Sequence, residues 1–449
     1  MSNKINSIKD LCEFIWYLED KHNLLNFEVD NVKVWQYSRM EIYYLLAKDL
    51  GILEQRHVSQ QSTSVVLRNS LTLVKNLFIG NPFLILNKQK DVLVFTHNRS
   101  KKIEDKFEDI YTKSLVSDLR SLKQSYLCFE KPYQGRHVRK KNSDIRYLDF
   151  ILSASVFYGM IYQIKNKSAL EVMRKVELEI ESYTASSIDL IKLLKKNVGR
   201  YKLGYMLYSR LFKRINPKVI YSVASYSYLG DMIAAAKDLG VKTIELQHGV
   251  VSKYHMGYSF PDKQALLCYS NVFYSWGEFW NKSVENAFDE VKVKGFSFFR
   301  NNSVYYQDVK KENRILVLSQ AALGEKIMNE MLKLINIFSD FQISYKLHPA
   351  EYLSYKKYSA YSKLSAYENI TFFEDCNLYR LMSVSKVQVG VFSTSLYEGI
   401  GFSCKTYLFN LNGIEYMKDL LDSEYAKVLS SEDVFNLEDF KENSIKHFF

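Results

Sequence analysis

Cysteine is scarce in this chain, and its five residues (Cys12, Cys128, Cys268, Cys376 and Cys404) are far apart with no CxxC pair. That pattern implies neither a disulfide framework nor a structural zinc site, and it fits a reducing, cytoplasmic setting. Only 5 prolines and 17 glycines occur in 449 residues, which argues against fibrous and low-complexity classes. The most apolar stretch, 71–86, is interrupted by Lys75, Asn76, Gly80, Asn81 and Pro82, so it is too short to span a bilayer. The opening residues MSNKINSIKDLCEFIW lack the apolar core of a signal peptide. Zinc-finger spacing, an RNA-binding motif and a dense arginine stripe are also missing, so nucleic acid is not an expected partner.

Hydrophobic residues, by contrast, make up 47% of the chain and aromatics 15%, mainly through 34 Tyr and 28 Phe. This is enough for a sizeable core, and the length implies two domains with some decoration. Lys and Arg number 61 against 50 acidic residues, a net charge of +11 that favours an anionic partner.

Residues 1–88 read as a mostly helical region, with apolar spacing of 3.6 in LCEFIWYLEDKHNLL and VWQYSRMEIYYLLAKDLGIL. Within it, 64–90 combines apolar residues with Arg68, Lys75, Lys88 and Lys90. This pattern suits either a packed edge of the core or contact with an anionic membrane surface. From Asp91, short apolar runs alternate with helical stretches, the signature of a parallel sheet. A first α/β domain is expected over 89–300, with a basic helical insertion at 150–215. A polar linker at 300–314 and a second α/β domain over 313–449 follow. The expected class is α/β, with two facing domains and a cleft between them.

Three constellations end predicted strands, where ligands of open α/β sheets bind. The first is Glu245-Leu246-Gln247-His248-Gly249, preceded by a βαβ unit containing Asp231 and followed by His255 and Tyr258. His248 suits a general base because its ordinary pKa lies near neutrality, and Gly249 lets backbone approach a ligand. The alternative is a hydrogen-bonded structural histidine. The second is Lys346-Leu347-His348-Pro349, where the proline stops the strand and leaves His348 at its tip, able to donate to a phosphate oxygen. The third is Ser393-Thr394-Ser395 before a helix beginning near Leu396, with Glu398 in its first turn. Hydroxyl residues cap helix starts, and the N–H groups there bind phosphate.

The order and spacing of these motifs over roughly 215–415 resemble GT-B glycosyltransferases of bacterial capsule and lipopolysaccharide synthesis. Among these, the sialyl- and Kdo-type transferases and the glycerophosphotransferases are the most similar. The resemblance implies two Rossmann-like domains, a nucleotide-activated sugar donor held by the second domain, and no metal or other cofactor. It assigns His348, Ser393 and Thr394 to the donor's phosphate or nucleotide and His248 to the reaction centre, with Gln247, Gly249, Pro349, Ser395 and Glu398 expected to line the substrate site. Two departures stand out. Gln247 replaces the usual aromatic residue before His-Gly, and no acidic pair precedes a glycine. The base is therefore open among His248, Glu245 and Asp231. The function that follows is transfer of a sugar, with a CMP-linked acidic sugar favoured, to a lipid-linked surface glycan. The site of action would be the cytoplasmic side, peripheral to the inner membrane. A CDP-polyol phosphotransferase and a non-catalytic nucleotide-binding scaffold are the alternatives.

Overall fold

The computed structural model describes residues 5–53, 75–84, 89–97, 100–103, 106–132, 137, 139, 142–184, 186, 188–306, 308–321, 323–430, 440–441 and 445–449. Most of the basic apolar segment 64–90, singled out above for membrane contact, lies outside them.

Two parallel sheets organise the chain. In sequence order the first region holds β1 (Val92–Phe95), a small antiparallel hairpin of β2 (Ser100–Ile103) and β3 (Lys106–Asp109), β4 (Tyr126–Glu130) and β5 (Ile145–Tyr147). It continues with β6 (Val219–Val223), β7 (Lys242–Leu246), β8 (Val272–Ser275) and β9 (Glu290–Val293). Seven of these strands form one sheet in the order β5-β4-β1-β6-β7-β8-β9, with every pair parallel. The second sheet uses β10 (Glu312–Leu318), β11 (Gln342–Lys346), β12 (Ile370–Phe373), β13 (Ser385–Gly390), β14 (Lys405–Leu408) and β15 (Ala426–Val428). Its order is β12-β11-β10-β13-β14-β15, again all parallel. Strands such as β1 are buried along their whole length, which is why they read as unbroken apolar runs rather than alternating ones. This is the two-domain, Rossmann-like α/β architecture expected for the GT-B type. Strand order reverses between β1 and β6 in one sheet and between β10 and β13 in the other. These switch points are where such sheets open a crevice.

Helices Asp149–Ile161, Lys167–Thr184 and Leu190–Ile215 make up the basic insertion. The first and third pack closely because glycines meet at their crossing. A Cβ on Gly159 would stand 2.5 Å from the Lys196 carbonyl, and one on Gly199 would stand 2.8 Å from the Gly159 Cα.

The amino-terminal helices Ile8–Lys21 and Val34–Asp49 form a hairpin that fastens the loop after β7. Ser7 and Asp10 close a capping box at its start, and Gly51, at φ +67°, follows the second helix in a left-handed turn. Arg39 is fully buried, paired with Glu19 at 2.6 Å, and also donates to the Met256 carbonyl. The Cys12 thiol donates to the Tyr254 carbonyl at 3.3 Å, and Gln36 accepts from Leu267 N at 2.9 Å.

The stretch 300–314, expected as a linker, is partly ordered into the end of helix Ser297–Ser303 and a turn at Val304–Tyr306. The carboxyl-terminal residues then pack against both regions, with the Phe448 ring 5.0 Å from that of Tyr425. Trp280 Nε1 donates to the Phe448 carbonyl at 2.8 Å, and Arg300 Nη2 donates to the Phe449 carbonyl at 2.8 Å. Phe299, Phe448 and Phe449 are all fully buried there, each contributing roughly 1.5–3 kcal/mol of apolar burial. Among the described residues, no helix is long and apolar enough to cross a membrane.

Candidate functional site

At the carboxyl edge of the first sheet, β7 ends at Leu246 and the chain turns through Gln247, His248 and Gly249. Gln247 is buried and holds this turn from both sides. Its Oε1 accepts from Trp276 N at 2.8 Å, and its Nε2 donates to the Gly249 carbonyl at 2.9 Å. A glutamine does this where an aromatic ring would not.

Glu245 lies inside the sheet with no exposed surface. Its Oε1 accepts from Ser225 N at 3.1 Å and from the Tyr258 hydroxyl at 2.5 Å, while its Oε2 takes the Ser225 hydroxyl. Burial pushes its pKa up to about 7, against the pull of these donors. Strict strand alternation predicts that Glu245 and His248 face opposite ways. The turn after Leu246 overrides it, because Tyr258 reaches both residues. With its proton given to Glu245, the phenol oxygen accepts from His248 Nδ1 at 3.2 Å. That leaves Nε2 as the basic nitrogen, 3.3 Å from the Tyr226 hydroxyl. The result is a hydrogen-bonded chain from Glu245 through Tyr258 to His248, an arrangement that can orient the imidazole.

His255 stacks on Tyr258 at 5.0 Å and is pushed down to about 4 by burial, so it remains a neutral packing group at physiological pH. Asp231 is elsewhere. It sits at the start of helix Gly230–Asp238 against the helical insertion, where a Cβ on Gly204 would come within 1.7 Å of its Oδ2. The geometry does not bring Asp231 to His248.

His97 is a site residue that the sequence reading did not single out. It follows β1, beside the switch point, and its ring lies 5.9 Å from that of His248 and 5.5 Å from that of Tyr111. Its backbone N–H is held by Asp109 Oδ2 at 2.8 Å, and Asp109 also takes Tyr111 N at 3.0 Å and the Thr112 hydroxyl at 2.8 Å. The signal was present, since DVLVFTHNRS is a buried strand ending in a histidine, the same pattern that singled out His248.

The second sheet presents its own strand ends. Ser393 caps helix Thr394–Gly401, its hydroxyl accepting from Ser395 N at 3.2 Å. The helix begins at Thr394, two residues before the expected start. Gln320, just past β10, grips Phe392 through both its backbone N and O and so fixes the loop that delivers Ser393. Glu398 is largely buried and accepts from the Tyr379 hydroxyl at 3.0 Å. His348 caps the short turn Pro349–Glu351. Its Nδ1 accepts from Ala350 N at 3.1 Å, which places the ring proton on Nε2 as a donor. Its own N–H donates to Glu351 Oε2 at 2.8 Å.

The two edges meet. A Cβ on Gly249 would lie 3.6 Å from the Thr394 hydroxyl, with no other atom within 4 Å. The His248 turn of one domain therefore faces the capped helix start of the other. The amino-terminal hairpin touches the same opening, where the Tyr43 and Tyr416 hydroxyls lie 2.6 Å apart and the Tyr416 ring rests on Phe392. Among the described residues, no group of three or more His, Cys, Asp or Glu side chains converges as a metal-binding set.

No protein-family model matches the chain. No curated protein matches it either. Solved structures with a similar arrangement include the UDP-GlcNAc 2-epimerase from Methanocaldococcus jannaschii, at 11% identity and TM-score 0.43, covering 79% of this chain and 96% of that one. The UDP-GlcNAc 2-epimerase from Neisseria meningitidis, bound to UDP-GlcNAc, aligns at 12% identity and TM-score 0.41, covering 78% and 89%. A UDP-forming trehalose-phosphate synthase from Burkholderia xenovorans aligns at 9% identity and TM-score 0.39, covering 78% and 89%.

Proposed function

We propose that this chain is a glycosyltransferase that moves a sugar from a nucleotide-activated donor to a glycan acceptor. One observation carries the reading. The basic nitrogen of His248 and the capped start of helix Thr394–Gly401 belong to strand ends that face each other across Gly249 and Thr394. In this mechanism the donor phosphate lies on the Thr394 N–H and hydroxyl at the helix start, and His348 Nε2 donates to it as it departs. His248 Nε2 accepts the proton of the acceptor hydroxyl, and Glu245 stabilises the resulting imidazolium through Tyr258. Glu398 contributes by holding the first turns of the donor helix.

The favoured donor is a CMP-linked acidic sugar, and the favoured acceptor is a lipid-linked surface glycan. The net charge of +11 supports an acceptor at an anionic membrane face. Exposed Phe157, Met160 and Ile161 on the helical insertion support it too, because they stand close in sequence to exposed Lys165 and Lys167.

Calorimetric titration of CMP, CDP, UDP and GDP into the wild type and His348→Ala tests the proposal. CMP binding that is weakened by the substitution supports the favoured donor. A preference for CDP favours polyol-phosphate transfer, and a preference for UDP or GDP favours a neutral hexose donor. No binding by any nucleotide overturns the transferase reading and leaves a scaffold role.

A further inference from the structure

Lys131 is a cation with no assigned work. It follows β4 directly, and its ammonium lies 3.5 Å from the centre of the Tyr228 ring. Continuing the Phe95–Phe129 register by two residues sets it beside His97 at the carboxyl edge of the first sheet. The carboxylates nearby are already committed. Glu130 is taken by Arg139 at 2.7 Å and by His137 at 3.1 Å. Asp109 is filled by the His97 and Tyr111 backbones and by Thr112. No carboxylate among the described residues pairs with Lys131. Burial alone pushes its amine down to about 8. An ammonium withdrawn from water without a counter-charge is costly to keep, and an arriving oxyanion would remove that cost.

We propose that Lys131 is the base of an oxyanion subsite on the acceptor side, its ammonium braced by the Tyr228 ring and free to seat a phosphate or carboxylate of the acceptor beside His97. This deepens the transferase reading and rests on it for the identity of the ligand as acceptor. The subsite selects acceptors that carry an anionic group close to the reacting hydroxyl.

The test is amine acetylation of the full-length protein at pH 8, read residue by residue by mass spectrometry, with and without inorganic pyrophosphate or glucuronate. Labelling of Lys131 is expected to fall at least ~tenfold with one of the two anions, while exposed Lys192 is unaffected. Protection by pyrophosphate identifies a phosphate-bearing acceptor, and protection by glucuronate identifies an acidic sugar. The same protection is expected in His348→Ala, whose donor-phosphate contact is removed. Protection lost in that variant would mean that the anion binds on the donor side, and would overturn the proposal. Equal labelling with and without both anions, or a Lys131 that the reagent never reaches, overturns it as well. The two readings fail separately. Absent nucleotide binding sinks the transferase, while unprotected Lys131 with intact nucleotide binding sinks the anion subsite alone.

Discussion

His248 is held by the hydroxyls of Tyr258 and Tyr226, and this shapes what each substitution should do. His248→Ala is expected to lower turnover by ~10²–10⁴ through loss of the base. Tyr258→Phe keeps the packing but cuts the relay between Glu245 and Nδ1. A smaller fall in kcat, of roughly 10-fold or more, is expected, with KM little changed and the acid limb of the pH–rate profile displaced. Steady-state kinetics across pH on the two variants would check both expectations. If Tyr258→Phe left kcat and the profile unchanged, the relay would have no role. At this scale the sequence was legible where it places a residue just past a strand end, as for His248 and His348. It was silent on Tyr258 and His97 as partners of His248, because hydrogen bonds made across a turn or between strands leave no periodic trace.

The helices and strands carry their own tests, since several are seated by polar groups that tolerate no added volume. A Cβ on Gly399 would come within 1.9 Å of Gln388 Oε1, and Gln388 Nε2 bonds the Leu396 carbonyl and Thr406. Gly399→Ala is therefore expected to cost at least ~1–3 kcal/mol by overpacking and to displace helix Thr394–Gly401. Urea unfolding and nucleotide affinity should both register it. Asp231 gives a pH-dependent counterpart. Folding raises its carboxyl from 3.8 to about 7 by burial, so the folded state holds the proton more tightly than the unfolded chain between those values. Stability must then fall as pH rises through that window, since the unfolded state binds fewer protons there. Asp231→Asn is expected to melt with the wild type near pH ~4 and several degrees above it at pH 8, as calorimetry would show. Most elements were legible from apolar runs and helical spacing. After β10, helix Gly324–Lys333 gives way to a tighter 3-10 turn at Ile335–Phe338, which helical spacing alone does not mark.

Across the whole molecule, the amino-terminal hairpin belongs to the site even though it touches none of the strand-end motifs in sequence. Arg39 reaches Glu19, the Met256 carbonyl and, at 3.9 Å, the Phe260 ring. Arg39→Met would leave Glu19 buried without its counter-charge, at a cost of ~3–5 kcal/mol. It is also expected to lower kcat by loosening the loop that bears Tyr258. Thermal melts and kinetics on one preparation would separate the two effects. The contacts with Met256 and Phe260 join residues more than two hundred positions apart, so spacing along the chain gave no hint of them.

Trp280 sits where the returning carboxyl terminus, the first domain and Tyr397 of the second come together, its ring 4.5 Å from that of Tyr397 and 6.1 Å from that of Trp276. An indole wedged between two bodies is a native optical gauge of their separation. Any hinge motion between them should change its emission, so such a motion would be visible in the unlabelled protein.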